Sequence, residues 1–221
     1  MDHRLSAASA SWENGDAAGG WIGPLLDEFG PTLGHAVPRG YEAYAVIPLL
    51  VGEEEADRSD YRVLAEIIDL LSPFTPEQVV HTALWEGWGW LSDPGDDARS
   101  VAASIVFHAG PNDVDALRRA REEVARSRVV RPEVARLLLP HRDYIVWSGP
   151  LSSALALRHA DDLPSMVWPD DRSWFIGAPI YTCEIALGAD EHVIHALLDA
   201  PTMQALGARR AERDDILLID D

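Results

Sequence analysis

The chain has 221 residues, 37 of them acidic against 18 basic, for a formal net charge of −19. Every basic side chain is arginine, which excludes a P-loop ATPase and lysine Schiff-base chemistry. The single cysteine, Cys183, excludes an internal disulfide framework and a multi-cysteine zinc site.

A chain of this length supports one filled core. Its 47% hydrophobic and 25% charged residues are ordinary globular values. No apolar run approaches the roughly 18 to 20 residues needed to span a bilayer. Met1 to Gly20 lacks the apolar region of a secretory signal, so a soluble, cytoplasmic protein is expected. The negative field repels nucleic acid and anionic membranes and favours a basic protein partner. It is equally compatible with a surface acidic by composition alone.

Residues 1–20 are rich in Ala, Ser and Gly without periodicity and read as a flexible tail, with one domain over 21–221. Trp21 to Phe29 suits one or two helical turns, and Tyr41 to Val51 a strand. Gly52 to Asp57, including Glu53, Glu54 and Glu55, reads as an acidic loop. Tyr61, Leu64, Ile67, Ile68 and Leu71 recur at helical spacing over Asp60 to Leu71, with Ser59 as N-cap and Pro73 as the stop. Thr75 to Gln78 looks like a further capped turn.

His81 to Leu91 holds Trp85, Trp88 and Trp90 among Gly87 and Gly89. Read as one strand, it puts Leu84, Glu86, Trp88 and Trp90 on one face, with both rings largely buried. Its glycines suit a bulge or a close approach by a ring or ligand. A turn at Asp93 to Asp97, a strand over Val101 to Phe107 and a helix over Asn112 to Arg126 follow. Residues 111–142 are locally basic, which a solvated helical face with ion pairs explains.

Asp143 to Trp147 reads as a strand ended by Ser148-Gly149-Pro150, then a helix to about Ala160. Ser173 to Gly177 and Ile180 to Leu187 are two strands or one interrupted strand, with Pro179 suggesting an edge or bulge; Asp190 to Ala200 is a helix, and a short turn opens at Pro201. The mixed order predicts an α+β fold, one mainly antiparallel sheet with helices packed on it.

Asp143-Tyr144-Ile145-Val146-Trp147-Ser148-Gly149-Pro150-Leu151, Trp168-Pro169-Asp170-Asp171-Arg172-Ser173-Trp174 and Trp85-Glu86-Gly87-Trp88-Gly89 together resemble an uncharacterised family of actinobacterial proteins. So does Val37-Pro38-Arg39-Gly40-Tyr41-Glu42-Ala43-Tyr44. The resemblance implies a shared single domain and brings no activity with it.

Candidate chemistry is sparse. His192 and His195 stand one helical turn apart, but the i,i+4 spacing and third ligand of a zinc site are missing. No G-x-S-x-G elbow surrounds Ser148, which suits a helix cap. No cofactor is expected. Trp168, Asp170, Asp171, Arg172 and Trp174 form either a binding edge or a type I turn with Pro169 at i+1 and Asp170 at i+2. Glu86 among Trp85, Trp88 and Trp90 is either a tuned carboxylate or the partner of an arginine such as Arg172. Beside a housekeeping or regulatory domain that uses neither feature, two functions are therefore expected. One is a non-catalytic, immunity- or inhibitor-like module that meets a basic protein through acidic loops, including Asp96 and Asp97, around an aromatic face. The other is an enzyme or small-molecule binder with an aromatic pocket at Trp85, Glu86, Trp88 and Trp90.

Overall fold

The computed structural model describes residues 2–49, 60–93, 129–159 and 162–219. The expected strand 101–107, the helix 112–126, the acidic loop 52–57 and both Asp96 and Asp97 lie outside them.

Asp2 caps α1 (His3–Ala7) by accepting from the Arg4 backbone N–H, and Asn14 caps α2 (Gly15–Gly19) through Ala17. Such oxygens satisfy donors that a first helical turn leaves unpaired. Between them lies β1 (Ser11–Glu13). The expected tail is therefore ordered over residues 2–20. Leu5 is fully buried, and β1 pairs with residues 146–148. Capping by side chains, rather than apolar periodicity, organises this stretch.

A 3-10 turn at Gly23–Leu25 and α3 (Leu33–Ala36) lead into β2 (Ala43–Pro48). In α4 (Asp60–Leu71) the residues Tyr61, Leu64, Ile67, Ile68 and Leu71 are buried, with Val63 beside them, as their helical spacing requires. β3 (Val80–Trp85), β4 (Leu91–Ser92), β5 (Val129–Val130), β6 (Leu137–Leu139) and β7 (Arg142–Gly149) follow. After Pro150 the chain makes a 3-10 segment, Leu151–Leu155, instead of the longer helix expected. Then come β8 (Met166–Pro169), β9 (Trp174–Gly177), β10 (Glu184–Ala189), α5 (Glu191–Asp199), α6 (Pro201–Leu206) and β11 (Arg209–Ala211).

Nine of these strands form one antiparallel sheet, in the order β1-β7-β3-β8-β9-β10-β2-β11 with β6 also on β7. The architecture is α+β. One face carries Ile47, Val80, Val167, Trp174, Ile176 and Leu187 beneath α4 and α5. The other carries Val46, Ala83, Val146, Met166, Trp168 and Phe175 beneath Ile22, Leu33, Ala36 and Val37. Successive side chains on a strand alternate faces, so Trp174 and Phe175 enter different cores. No described helix is long and apolar enough to cross a membrane.

The tryptophan stretch is not one strand. β3 ends at Trp85, and Glu86 to Trp90 form turns before β4. A Cβ on Gly87 would overlap the Trp85 ring, so this glycine lets the chain fold back across the indole. Trp88 then packs edge-on to Trp85, 5.6 Å between centroids. The alternating face expected for Leu84, Glu86, Trp88 and Trp90 therefore does not form.

Candidate functional site

At the Trp85 end of β3, the second core face opens into a cleft between strands and α3. Its walls include Asp27, His35, Arg142, Tyr144, Ser165 and Tyr181. It encloses about 40 Å³, room for two or three water-sized groups. Arg142 begins β7 and shares its sheet face with Tyr144, two residues on. Pro140 and His141 connect Leu139 to Arg142, with His141 in the left-handed region at φ 72°. His35 arrives on α3, which presses against β9 at Gly177. A Cβ there would overlap the Ala36 carbonyl, so only glycine lets the helix sit this close.

Arg142 is surrounded by rings. Its guanidinium carbon lies 5.1 Å from the Tyr181 centroid, 5.4 Å from Trp85 and 5.8 Å from Phe29. It makes no ion pair among the described residues. The one carboxylate in the cleft wall, Asp27, instead meets Arg213 at 3.0 Å. In the cleft wall, His35 Nδ1 and the Ser165 hydroxyl are buried without a hydrogen-bond partner among the described residues. Ser165 itself is only 5% exposed.

Protonation in the cleft follows from burial. Burial lowers the His35 pKa and Arg142 acts the same way, against the contact with the Asp27 backbone, so the ring is mainly neutral at pH 7. Burial pushes the Tyr144 phenol up to about 12, against the pull of Arg142, keeping it a neutral hydroxyl. Arg142 is thus the cleft's cation.

The residues singled out from the sequence scatter. Trp85 lies on Arg142. Glu86 meets Arg136 at 2.9 Å and Arg131 at 3.8 Å, so its partners are these two arginines and not Arg172. Trp90 stacks on His159, centroids 4.6 Å apart, and its indole N–H donates to Asp162 at 2.7 Å. Trp88 and Trp90 are half-buried against a third cluster that includes Leu84, Ile145 and Trp147. They stand away from the cleft's lining, so the expected pocket of Trp85, Glu86, Trp88 and Trp90 does not close as one site.

Trp168 and Trp174 are not a binding edge either, being 1% and 0% exposed in opposite cores. Trp168 stacks on Phe175, and Trp174 donates its indole N–H to Thr75. The β8–β9 turn is shifted one residue from expectation. Arg172 N–H donates to the Pro169 carbonyl, putting Pro169 at the first position and Asp170 and Asp171 in the middle. Arg172 lies 4.4 Å over the Trp21 ring. Burial raises the Asp171 pKa, but hydrogen bonds from Ser173 and Gln78 win and hold its carboxyl below the usual range.

The register also joins three residues that sequence alone left apart. Ser148, His81 and Trp168 stand opposite one another on β7, β3 and β8. His81 Nδ1 is 2.7 Å from Ser148 Oγ, and its Nε2 is 3.0 Å from Asp170 Oδ1. With a neutral imidazole, Asp170 accepts from Nε2–H and Ser148 donates to Nδ1. This is the connectivity of a general base on a serine. The Asp170 side chain, however, is 68% exposed, and water screens the charge that would have to stabilise an imidazolium. The His81 ring is stacked on Trp168 at 5.5 Å. Ser148, His81 and Asp170 act as a polar pin that ties the β8–β9 turn to β3 and β7.

Arg142, His35 and Ser165 were absent from the sequence-based site. Sequence alone assigns Arg142 to the locally basic 111–142 stretch. The signal lay in its spacing: two residues before Tyr144 and four before Val146, it belongs to the strand's inner face. Searches against protein-family models, curated proteins and solved structures find no match for this chain.

Proposed function

We propose that this chain is a binding protein that takes a small organic group into the cleft walled by Arg142, His35 and Ser165. The supporting observation is the company Arg142 keeps: three aromatic rings and, among the described residues, no carboxylate, in a chain with about twice as many acids as bases. Buried polar atoms normally find partners, and leaving one unpaired costs roughly 1–3 kcal/mol. A site that keeps the Ser165 hydroxyl buried and unpaired beside a cation with no ion pair among the described residues is preorganised for an incoming acceptor. Phe29, 49% exposed at the mouth, offers a flat apolar surface to the remainder of the ligand.

A thermal-shift screen with aromatic fragments tests the reading. Fragments that raise the melting temperature lose the effect in Phe29→Ala. They keep it in Thr202→Arg, which blocks a separate groove between α4 and α6. Hits indifferent to Phe29→Ala would contradict it.

A second reading is recognition of a basic protein by the acidic surface, favoured by the net charge and by the exposed Asp170 and Asp171 at one turn. Capture of partners that weakens steeply with salt and with Asp170→Asn/Asp171→Asn supports it; salt-insensitive capture opposes it.

A further inference from the structure

We infer that the group this cleft receives is a carboxylate, held edge-on by Arg142, an inference that rests on the cleft being a binding site. The cation is available because Asp27 is committed to Arg213. Phe29, Trp85 and Tyr181 lie against the guanidinium within 5.8 Å. Aromatic rings attract the cation through their faces without accepting its N–H hydrogen bonds as a carboxylate would, so its N–H groups remain able to donate. That edge matches a planar carboxylate with two parallel hydrogen bonds. The Ser165 hydroxyl, buried and without a partner, and the neutral Tyr144 phenol add uncharged donors to the same wall.

Charge selects against phosphate. A phosphate monoester carries nearly two negative charges at pH 7. The cleft supplies one cation, because burial keeps His35 mainly neutral. The surrounding field of a chain at −19 penalises the second charge again. Size points the same way. About 40 Å³ admits a carboxylate head and little else, so the rest of the molecule lies outside against Phe29. Such a head comes from a free carboxylic acid or from the C-terminus of a polypeptide.

Isothermal titration of the full chain with benzoate, benzamide, phenyl phosphate and the dipeptide Gly-Phe in acid and amide forms tests the assignment. Benzoate binds at least about tenfold more tightly than benzamide, the scale of a charge-assisted hydrogen-bond pair. Arg142→Gln removes that preference, and Arg142→Lys restores part of it. The benzoate-to-benzamide comparison needs no variant and stands if Arg142→Gln folds poorly. Tighter binding of Gly-Phe acid than benzoate identifies a polypeptide terminus as the source, and the reverse a free acid. Equal binding of benzoate and benzamide overturns the carboxylate while leaving a binding cleft. Phenyl phosphate binding tightest overturns it in favour of another anion. Failure of every compound removes the cleft reading along with it.

Discussion

Trp85 and Arg142 meet across the β3–β7 pair, the guanidinium carbon 5.4 Å from the indole centroid. The contact joins the end of the most tryptophan-rich stretch to a cation that no acid in the described structure neutralises. Trp85 is fixed on its other side by Gly87 and Trp88. The ring therefore backs the Arg142 guanidinium, which lines the cleft.

The cation and its rings contribute to stability even without a ligand. Arg142→Ala is expected to lower unfolding stability by about 1 kcal/mol, through lost ring contacts and lost packing of the side-chain stem. Urea denaturation of both proteins measures it. A loss of several kcal/mol would show that Arg142 is a structural pillar instead.

Trp168→Ala should be far more damaging, at about 3–5 kcal/mol, because a fully buried ring stacked on Phe175 leaves a cavity. Trp88→Ala, at a half-buried ring, should cost clearly less. Equal losses for the two variants would contradict the burial described above.

Glu184 is 1% exposed and accepts from the Leu218 backbone N–H at 2.8 Å, with Arg209 at 3.5 Å. It fastens the C-terminal segment to the start of β10. Glu184→Ala is expected to cost about 1–3 kcal/mol and to speed hydrogen exchange at residues 217–219. Unchanged exchange there would mean the segment is held by other contacts.

His35 gives a pH dependence with a definite sign. Its folded-state pKa is lowered, so the unfolded chain binds more protons in the window below the unfolded histidine value. The contribution of His35 is fully present above about pH 6.5 and is lost as pH falls through the unfolded value toward the folded one. Denaturant titrations between pH 7.5 and 5 should show a smaller fall in stability for His35→Gln than for the unaltered chain. An identical fall would place the titration elsewhere.

Ser148 should not behave as a nucleophile, because the carboxylate that would support His81 is mostly in solvent. Intact-mass analysis after incubation with a fluorophosphonate should show no adduct. Labelling lost in Ser148→Ala would turn the polar pin into a catalytic serine.

The sequence was informative where one local rule governed the outcome. The helix over 60–71 follows from apolar spacing. The α+β antiparallel sheet follows from element order. It was uninformative where sheet register decided. Nothing local places Ser148 and Trp168 on either side of His81, or Trp85 beside Arg142, which is 57 positions away. The ordered N-terminus escaped because α1 and α2 are five residues each and rest on caps and on edge pairing with β7. The burial of Trp168 and Trp174 has no local signal, because their partners, Phe175 and Thr75, become neighbours only through folding.

The claim that the Arg142 cleft is the ligand site is tested most directly by nitrogen–proton correlation NMR of the indole N–H groups during titration with benzoate. The account predicts that the Trp85 resonance moves in a saturable way, that those of Trp168 and Trp174 stay fixed, and that Arg142→Gln abolishes the movement. Saturable shifts confined to Trp88 and Trp90, or no shift at any indole while Arg142→Gln remains folded, would contradict it.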